Sequence, residues 1–118
     1  EKVICVVGCG GDRDVGKRPL MAQFACQLSD QVILTSDNPR SEDPKKIINE
    51  MKAGLNASQM RKVLSLEDRR EAIKLGVTLC SEGDILLIAG KGHEKYQEIN
   101  GERFPFDDMA ILKEHFKH

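Results

Sequence analysis

Three short stretches place acids, bases and an amide where a simple loop needs none of them. The stretch "TSDNPRSEDP" (residues 35–44) sets Asp37, Asn38 and Arg40 around Pro39. Pro39 fixes its own φ and biases the residue before it towards an extended conformation, so the flanking side chains are expected to be held before any ligand arrives. Arg40 offers a planar fork that fits a carboxylate with two parallel hydrogen bonds. Asn38 donates and accepts, and Asp37 can receive an ammonium or steady Arg40. The stretch "GCGGDRDVGKR" (8–18) adds Asp12, Arg13 and Lys17 among glycines, and "AGKGHEKYQ" (89–97) adds Gly90, Lys91, His93 and Glu94. Arg13 and Arg40 with Asp37 and Glu94 make two cations and two anions, a set that suits a zwitterion. Taken alone, the turn also reads as a rigid corner whose charges pair with each other, and His93 equally as a core histidine or a ligand contact.

The glycine-rich loop fits neither standard phosphate pattern. Gly11 to Gly16-Lys17 has Walker spacing, but Arg18 stands where Ser or Thr should meet magnesium. Gly8 and Gly10 open a dinucleotide fingerprint, but Arg13 takes the place of its third glycine. A charged glycine-rich turn remains the plainer reading of that loop by itself. No serine or His93 has a partner in sequence for a nucleophilic triad, and no catalytic residue is expected here.

The elements that must position these loops follow from the apolar pattern. "KVICVVG" (2–8) and "QVILTS" (31–36) read as buried strands of a parallel sheet, "KVLS" (62–65) as a short third, and "ILLIAG" (85–90) as the most apolar fourth. Between them, 19–30 reads as a helix with Pro19 at its first position and Leu20, Phe24 and Leu28, with Ala25, as its buried stripe. Asp43 caps a second helix with Pro44 at N1 and Ile47, Ile48 and Met51 inward; Gly54 ends it. Residues 66–80 read as a third, with Arg69, Ala72, Ile73, Gly76, Val77 and Cys80 on one side. Asn100-Gly101 marks a hairpin that forms an antiparallel edge, and a last helix is expected over 107–117. The fold class is therefore α/β, Rossmann-like: a mostly parallel sheet, helices on both faces, and an antiparallel C-terminal hairpin edge. In such a sheet ligands sit outside the carboxyl ends of the strands, and all three polar stretches leave such ends.

With 118 residues, one domain is expected over 1–118. The balance of 18 basic against 19 acidic residues gives no field to draw in nucleic acid, and no apolar run is long enough to span a membrane. Four cysteines without a C-x-x-C pair read as free thiols of a reducing cytosol, with no metal site. The chain starts at Glu1, which fits a piece of something longer.

"GCGGDRDVGKRPLM", "TSDNPRSEDP" and "IAGKGHEKYQ", in this order and spacing, resemble the C-terminal domain of the Mur ligases of bacterial peptidoglycan synthesis, in their diaminopimelate-adding branch. The resemblance covers essentially the whole chain. It implies a cytoplasmic, ATP-dependent acid–amino-acid ligase of three domains, of which this would be the Rossmann-like third. That domain packs on a central domain of the same chain, which holds ATP and Mg2+ and is absent here. The implied reaction adds meso-diaminopimelate to UDP-MurNAc-L-Ala-D-Glu through an acyl phosphate. By the same resemblance Arg40 would clamp the distal carboxylate of diaminopimelate, with Asn38, Asp37 and Arg13 supporting. The Gly90 carbonyl and Glu94 would take the distal ammonium, and Asp12 and Lys17 would lie near the nucleotide. Two alternatives stay open at this point: a Mur ligase for another amino acid such as L-lysine, against which Arg40 speaks, and a stand-alone nucleotide- or amino-acid-binding module.

Overall fold

A computed structural model describes residues 2–10, 16–39 and 41–89, and the backbone of 96–99 and 102–105. Strands β1 (Val3–Cys9), β2 (Gln31–Ser36), β3 (Val63–Ser65) and β4 (Ile85–Ala89) form one parallel sheet in the order β3-β2-β1-β4. The register pairs Cys9 with Ser36 and Val7 with Ala89, so the ends of β1, β2 and β4 meet on one rim. Alternation along the strands divides the core in two. Cys5, Val7, Val32 and Leu34 point to the face covered by helices α1 (Lys17–Leu28) and α2 (Pro44–Lys52). Ile4, Val6 and Ile33 point to the face covered by Ala72 and Ile73 of α4 (Arg69–Leu79). The two-residue period of a strand buried on both sides accounts for this split.

At the opposite rim, carboxylates fix the strand starts. Asp84 accepts from the Lys2 and Ser81 amides at 2.9 Å each, and these bonds hold its carboxyl below the usual range. Asp30 accepts from the Val3 amide at 2.8 Å.

The second helix forms as its sequence dictates. Asp43 accepts from the Lys45 amide, Pro44 takes the first position, and Ile47, Ile48 and Met51 are buried. Gly54 does not end it through a left-handed cap. The helix closes at Lys52 with Ala53 as cap, and a side chain at Gly54 would meet Pro19 Cβ at 2.7 Å. The glycine is there for close approach to α1.

Helix α1 departs most from its sequence reading. It begins at Lys17, with Pro19 inside the first turn, and Leu20, Phe24 and Leu28 lie on its exposed side. Its buried stripe is Arg18, Ala22, Ala25 and Cys26. A four-residue period marks a face without saying which way it turns. Here the helix seats its small residues on the sheet, where Ala22 and Cys26 allow a close approach.

Helix α4 starts at Arg69 rather than at 66, because Asp68 caps it by accepting from the Glu71 amide. Arg69, Ala72, Ile73 and Gly76 are buried as expected, and Val77 and Cys80 only in part. A one-turn helix α3 (Ala57–Met60) was not expected; Asn56 and Gln59 form its capping box. Strand β4 borders the described sheet, so Ile85 and Leu87 are exposed despite its apolar sequence. Strands β5 (Tyr96–Ile99) and β6 (Glu102–Pro105) pair antiparallel as the hairpin signal predicts. Among the described residues they form a sheet of their own and do not extend the parallel one, because their hydrogen bonds go to each other. The turn at 100–101 and the expected helix over 107–117 lie outside the described residues.

Candidate functional site

The rim above β1, β2 and β4 is the candidate ligand site. Strands β1 and β2 are joined by a helix on one face, while α4 returns to β4 across the other. The chain runs from β1 outward to β2 and β3 and then crosses back to β4 on the other side of β1, and such a reversal of strand order opens a crevice at the carboxyl ends of β1 and β4. The three polar stretches all depart from this edge, following Cys9, Ser36 and Ala89.

Asp37 and Asn38 are brought to the rim as predicted, and both are buried, as is Pro39. Lys17 is exposed at the first position of α1, next to Gly16, which contributes no side-chain cap. The amino end of that helix thus faces the rim with its backbone N–H groups, an arrangement suited to an anion. Asp12, Arg13, Arg40, Gly90, Lys91, His93 and Glu94 lie outside the described residues.

Asn38 corrects one expectation. Its φ is +31°, not extended, although proline follows it. Among side chains, asparagine tolerates the left-handed region best, but the conformation still costs on the order of 1 kcal/mol. The buried setting of the turn over-determines it.

Two buried arginines hold the rim. Arg69 of α4 donates from Nη1 to the Ser36 carbonyl at 3.2 Å. Thr35 and Ser36 hydroxyls both donate to the Glu67 carbonyl, at 3.3 and 2.8 Å. The end of β2 is thereby anchored immediately before Asp37. Gly8 leaves room for this anchor: a Cβ there would sit 3.0 Å from the Thr35 oxygen and Ser36 carbon and 3.1 Å from Arg69 Nη1. Backbone atoms cannot give way cheaply. Gly8→Ala is therefore expected to lower stability by about 1–3 kcal/mol, read by urea unfolding, whereas an unchanged midpoint would mean that β1 and β2 separate freely.

Arg18 is the second arginine and the residue the sequence reading missed. It is 1% exposed. Nη2 donates to Glu42 Oε2 at 2.7 Å and to the Gly10 carbonyl at 3.1 Å; Nη1 donates to Glu50 Oε1 at 2.7 Å and Glu42 Oε1 at 3.1 Å. Hydrogen bonding to Glu42 leads the causes that hold its pKa above the ordinary arginine value. Only its failure to match a Walker loop singled it out in sequence. The available signal was its place on the stripe of Ala22, Ala25 and Cys26, where a charge must bring partners.

Cys9, at the end of β1, lies 3.4 Å from the Met21 sulfur. Burial pushes its thiol from 9.0 up to about 11, partly offset by Arg18. Burial likewise raises Cys5 and Cys26. The folded state thus favours the neutral thiol. That contribution is complete below about pH 9 and is lost as pH rises through about 11. The urea midpoint should fall over this window, and Cys9→Ala should make the fall shallower; an identical slope in the variant would contradict the assignment.

Among the described residues no cluster of His, Cys, Asp and Glu could hold a metal ion, and all four cysteines are free. No described helix is long and apolar enough to cross a membrane. A cleft of about 320 Å³ opens between α2 and the end of β3, lined by Lys45, Ile48, Asn49, Ser65, Leu66 and Glu67. Neither Lys17, Asp37 nor Asn38 lines it, but it adjoins the anchor of β2 through Glu67.

Residues 1–92 match the family described as "Mur ligase, glutamate ligase domain". The chain is 61% identical over 114 residues, 97% of its length, to a UDP-N-acetylmuramoyl-L-alanyl-D-glutamate--2,6-diaminopimelate ligase of Cytophaga hutchinsonii. It is 59% identical over 115 residues, 98% of its length, to the protein of the same name in Bacteroides thetaiotaomicron. In both cases it covers 24% of the relative. A solved structure under that name superposes with a TM-score of 0.93 at 51% identity, over 99% of this chain and 24% of the other. The chain thus spans about a quarter of the length of these relatives.

Proposed function

The chain belongs to the Mur ligase family as a glutamate ligase domain, and we propose that it selects the amino acid for an ATP-dependent ligase that joins meso-diaminopimelate to UDP-MurNAc-L-Ala-D-Glu. The observation that carries this reading is the buried, strained Asp37-Asn38-Pro39 corner at the carboxyl end of β2, directly before Arg40. A fixed corner is what a site needs to discriminate by charge rather than by shape. Relatives named for 2,6-diaminopimelate at 61% and 59% identity support the choice of amino acid.

In this reading Arg40, with Arg13 and Asn38, pairs with the distal carboxylate, and Asp37 steadies the arginine. The Gly90 carbonyl and Glu94 receive the distal ammonium. Lysine has the ammonium but no second carboxylate, so it would leave buried cations without a partner, a cost of several kcal/mol. Asp12 and Lys17 face the nucleotide. Lys17 fits this role through its place at the exposed amino end of α1. ATP supplies the phosphoryl group that activates the acceptor carboxylate. It and Mg2+ belong mainly to a preceding domain of the full-length enzyme, on which this domain packs. The domain's own contribution is positioning: it holds the attacking amine in line and shields the site from water. The enzyme works in the cytoplasm, where its substrates are soluble.

The test is phosphate release by the full-length ligase with UDP-MurNAc-L-Ala-D-Glu, ATP and either amino acid. Turnover should require diaminopimelate, with lysine at least about 10³-fold poorer in kcat/KM. Equal use of both would overturn the reading.

A further inference from the structure

Arg18 is more than a buried charge balanced by neighbours, because two of its partners, Gly10 and Glu42, lie in the two segments that carry the selecting groups. Gly10 opens the glycine-rich loop, and Arg18 lies just past its other end. The bond from Nη2 to the Gly10 carbonyl therefore ties together the residues that flank the loop. Glu42 closes the second segment. Its amide donates to the Pro39 carbonyl at 3.0 Å, forming a turn over 39–42, and its carboxylate takes both ends of the Arg18 fork. Glu50 ties the same guanidinium to α2, whose Ile47 and Met51 are buried in the core. One rigid side chain thus connects the root of the first loop, the turn after Asn38 and a packed helix.

We propose that Arg18 is a positioning residue for amino-acid selection: it fixes the glycine-rich loop and the 39–42 turn relative to each other, so that the groups they carry meet the ligand in one geometry. The inference rests on the amino-acid-selecting role given above. The nucleotide would be held mainly elsewhere in the enzyme, so a fault in this clamp should reach the amino acid first.

Lysine cannot replace the fork. A single ammonium has three donors on one atom, and cannot give Glu42 two parallel bonds while reaching Glu50 and the Gly10 carbonyl. Arg18→Lys keeps the charge and most of the volume, so it isolates geometry. Displacements of about 1 Å at a reacting group cost on the order of 10²-fold.

The experiment measures full-length wild type, Arg18→Lys and Glu42→Gln by thermal unfolding and by steady-state kinetics with each substrate varied. Arg18→Lys should raise KM for diaminopimelate about 10- to 100-fold and KM for ATP at least about 10-fold less than that, since Asp12 and Lys17 of the same loop face a nucleotide held mainly elsewhere. Glu42→Gln, at a partly exposed position, should move the same parameter in the same direction by less. A merely structural role would lower the melting temperature without this split. The proposal is overturned if both KM values rise together, or if neither changes in whichever variant folds. A wild type that takes lysine instead of diaminopimelate would sink the substrate assignment alone. The split would then be read on lysine against ATP, with the same two outcomes.

Discussion

Arg40→Ala should reduce kcat/KM for diaminopimelate by about 10²- to 10³-fold in the full-length ligase while KM for ATP stays within about 3-fold. The size follows from what truncation leaves behind. The distal carboxylate would enter a closed site without its two-bonded partner, and removing one member of a desolvated, hydrogen-bonded pair costs about 2–5 kcal/mol. Lysine is penalised by leaving Arg40 without a partner, so its poor turnover should improve, though only in part because Arg13 remains. Selectivity would collapse because the good substrate falls. A parallel loss for ATP and diaminopimelate would mean that Arg40 serves the fold or the domain contact. The corner supplies the reason for expecting a clean effect. Asp37 and Asn38 are buried, Pro39 restricts the backbone, and Arg69 and the two hydroxyls fix β2 just before them.

Arg18→Ala should destabilise the fold by about 3 kcal/mol, read as a lower urea midpoint. The arginine is 1% exposed, and its loss leaves Glu42 and Glu50 facing each other without their shared cation. The two carboxylates keep 16% and 31% of their side-chain surface exposed, which lets water recover part of the cost. Lys46, 3.7 Å from Glu42, is itself well exposed and compensates weakly. Replacing all three by Arg18→Met, Glu42→Gln and Glu50→Gln together should cost less than Arg18→Met alone, because no unpaired charge remains. Strict additivity of the three would show that the cluster does not act as a unit.

Much of this architecture was legible because the local rules agree with one another. The apolar β-branched runs of β1 and β2, the Asp43-Pro44 start of α2 and its inward Ile47, Ile48 and Met51 all follow from period and capping. The meeting on one rim of the strand ends that precede the three polar stretches followed from parallel strands alone. Other features were decided by tertiary contact. The row of Leu20, Phe24 and Leu28 has helical spacing, but the sheet accepted the smaller row beside it. Asn38 should be extended before proline, and the buried turn overrides that preference. Gly54 looked like a cap and is instead the point where the end of α2 touches Pro19. The Arg18 cluster was not legible, since Arg18, Glu42 and Glu50 come from three separate stretches. No local pattern links a cation to acids 24 and 32 residues away.

The central claim is that a fixed corner chooses the amino acid by pairing Arg40 with its second carboxylate. The most direct measurement is a structure of the full-length ligase with diaminopimelate bound. Both guanidinium ends of Arg40 should lie within about 3 Å of the distal carboxylate oxygens. An Arg40 turned to solvent, with that carboxylate held by other groups, would contradict it.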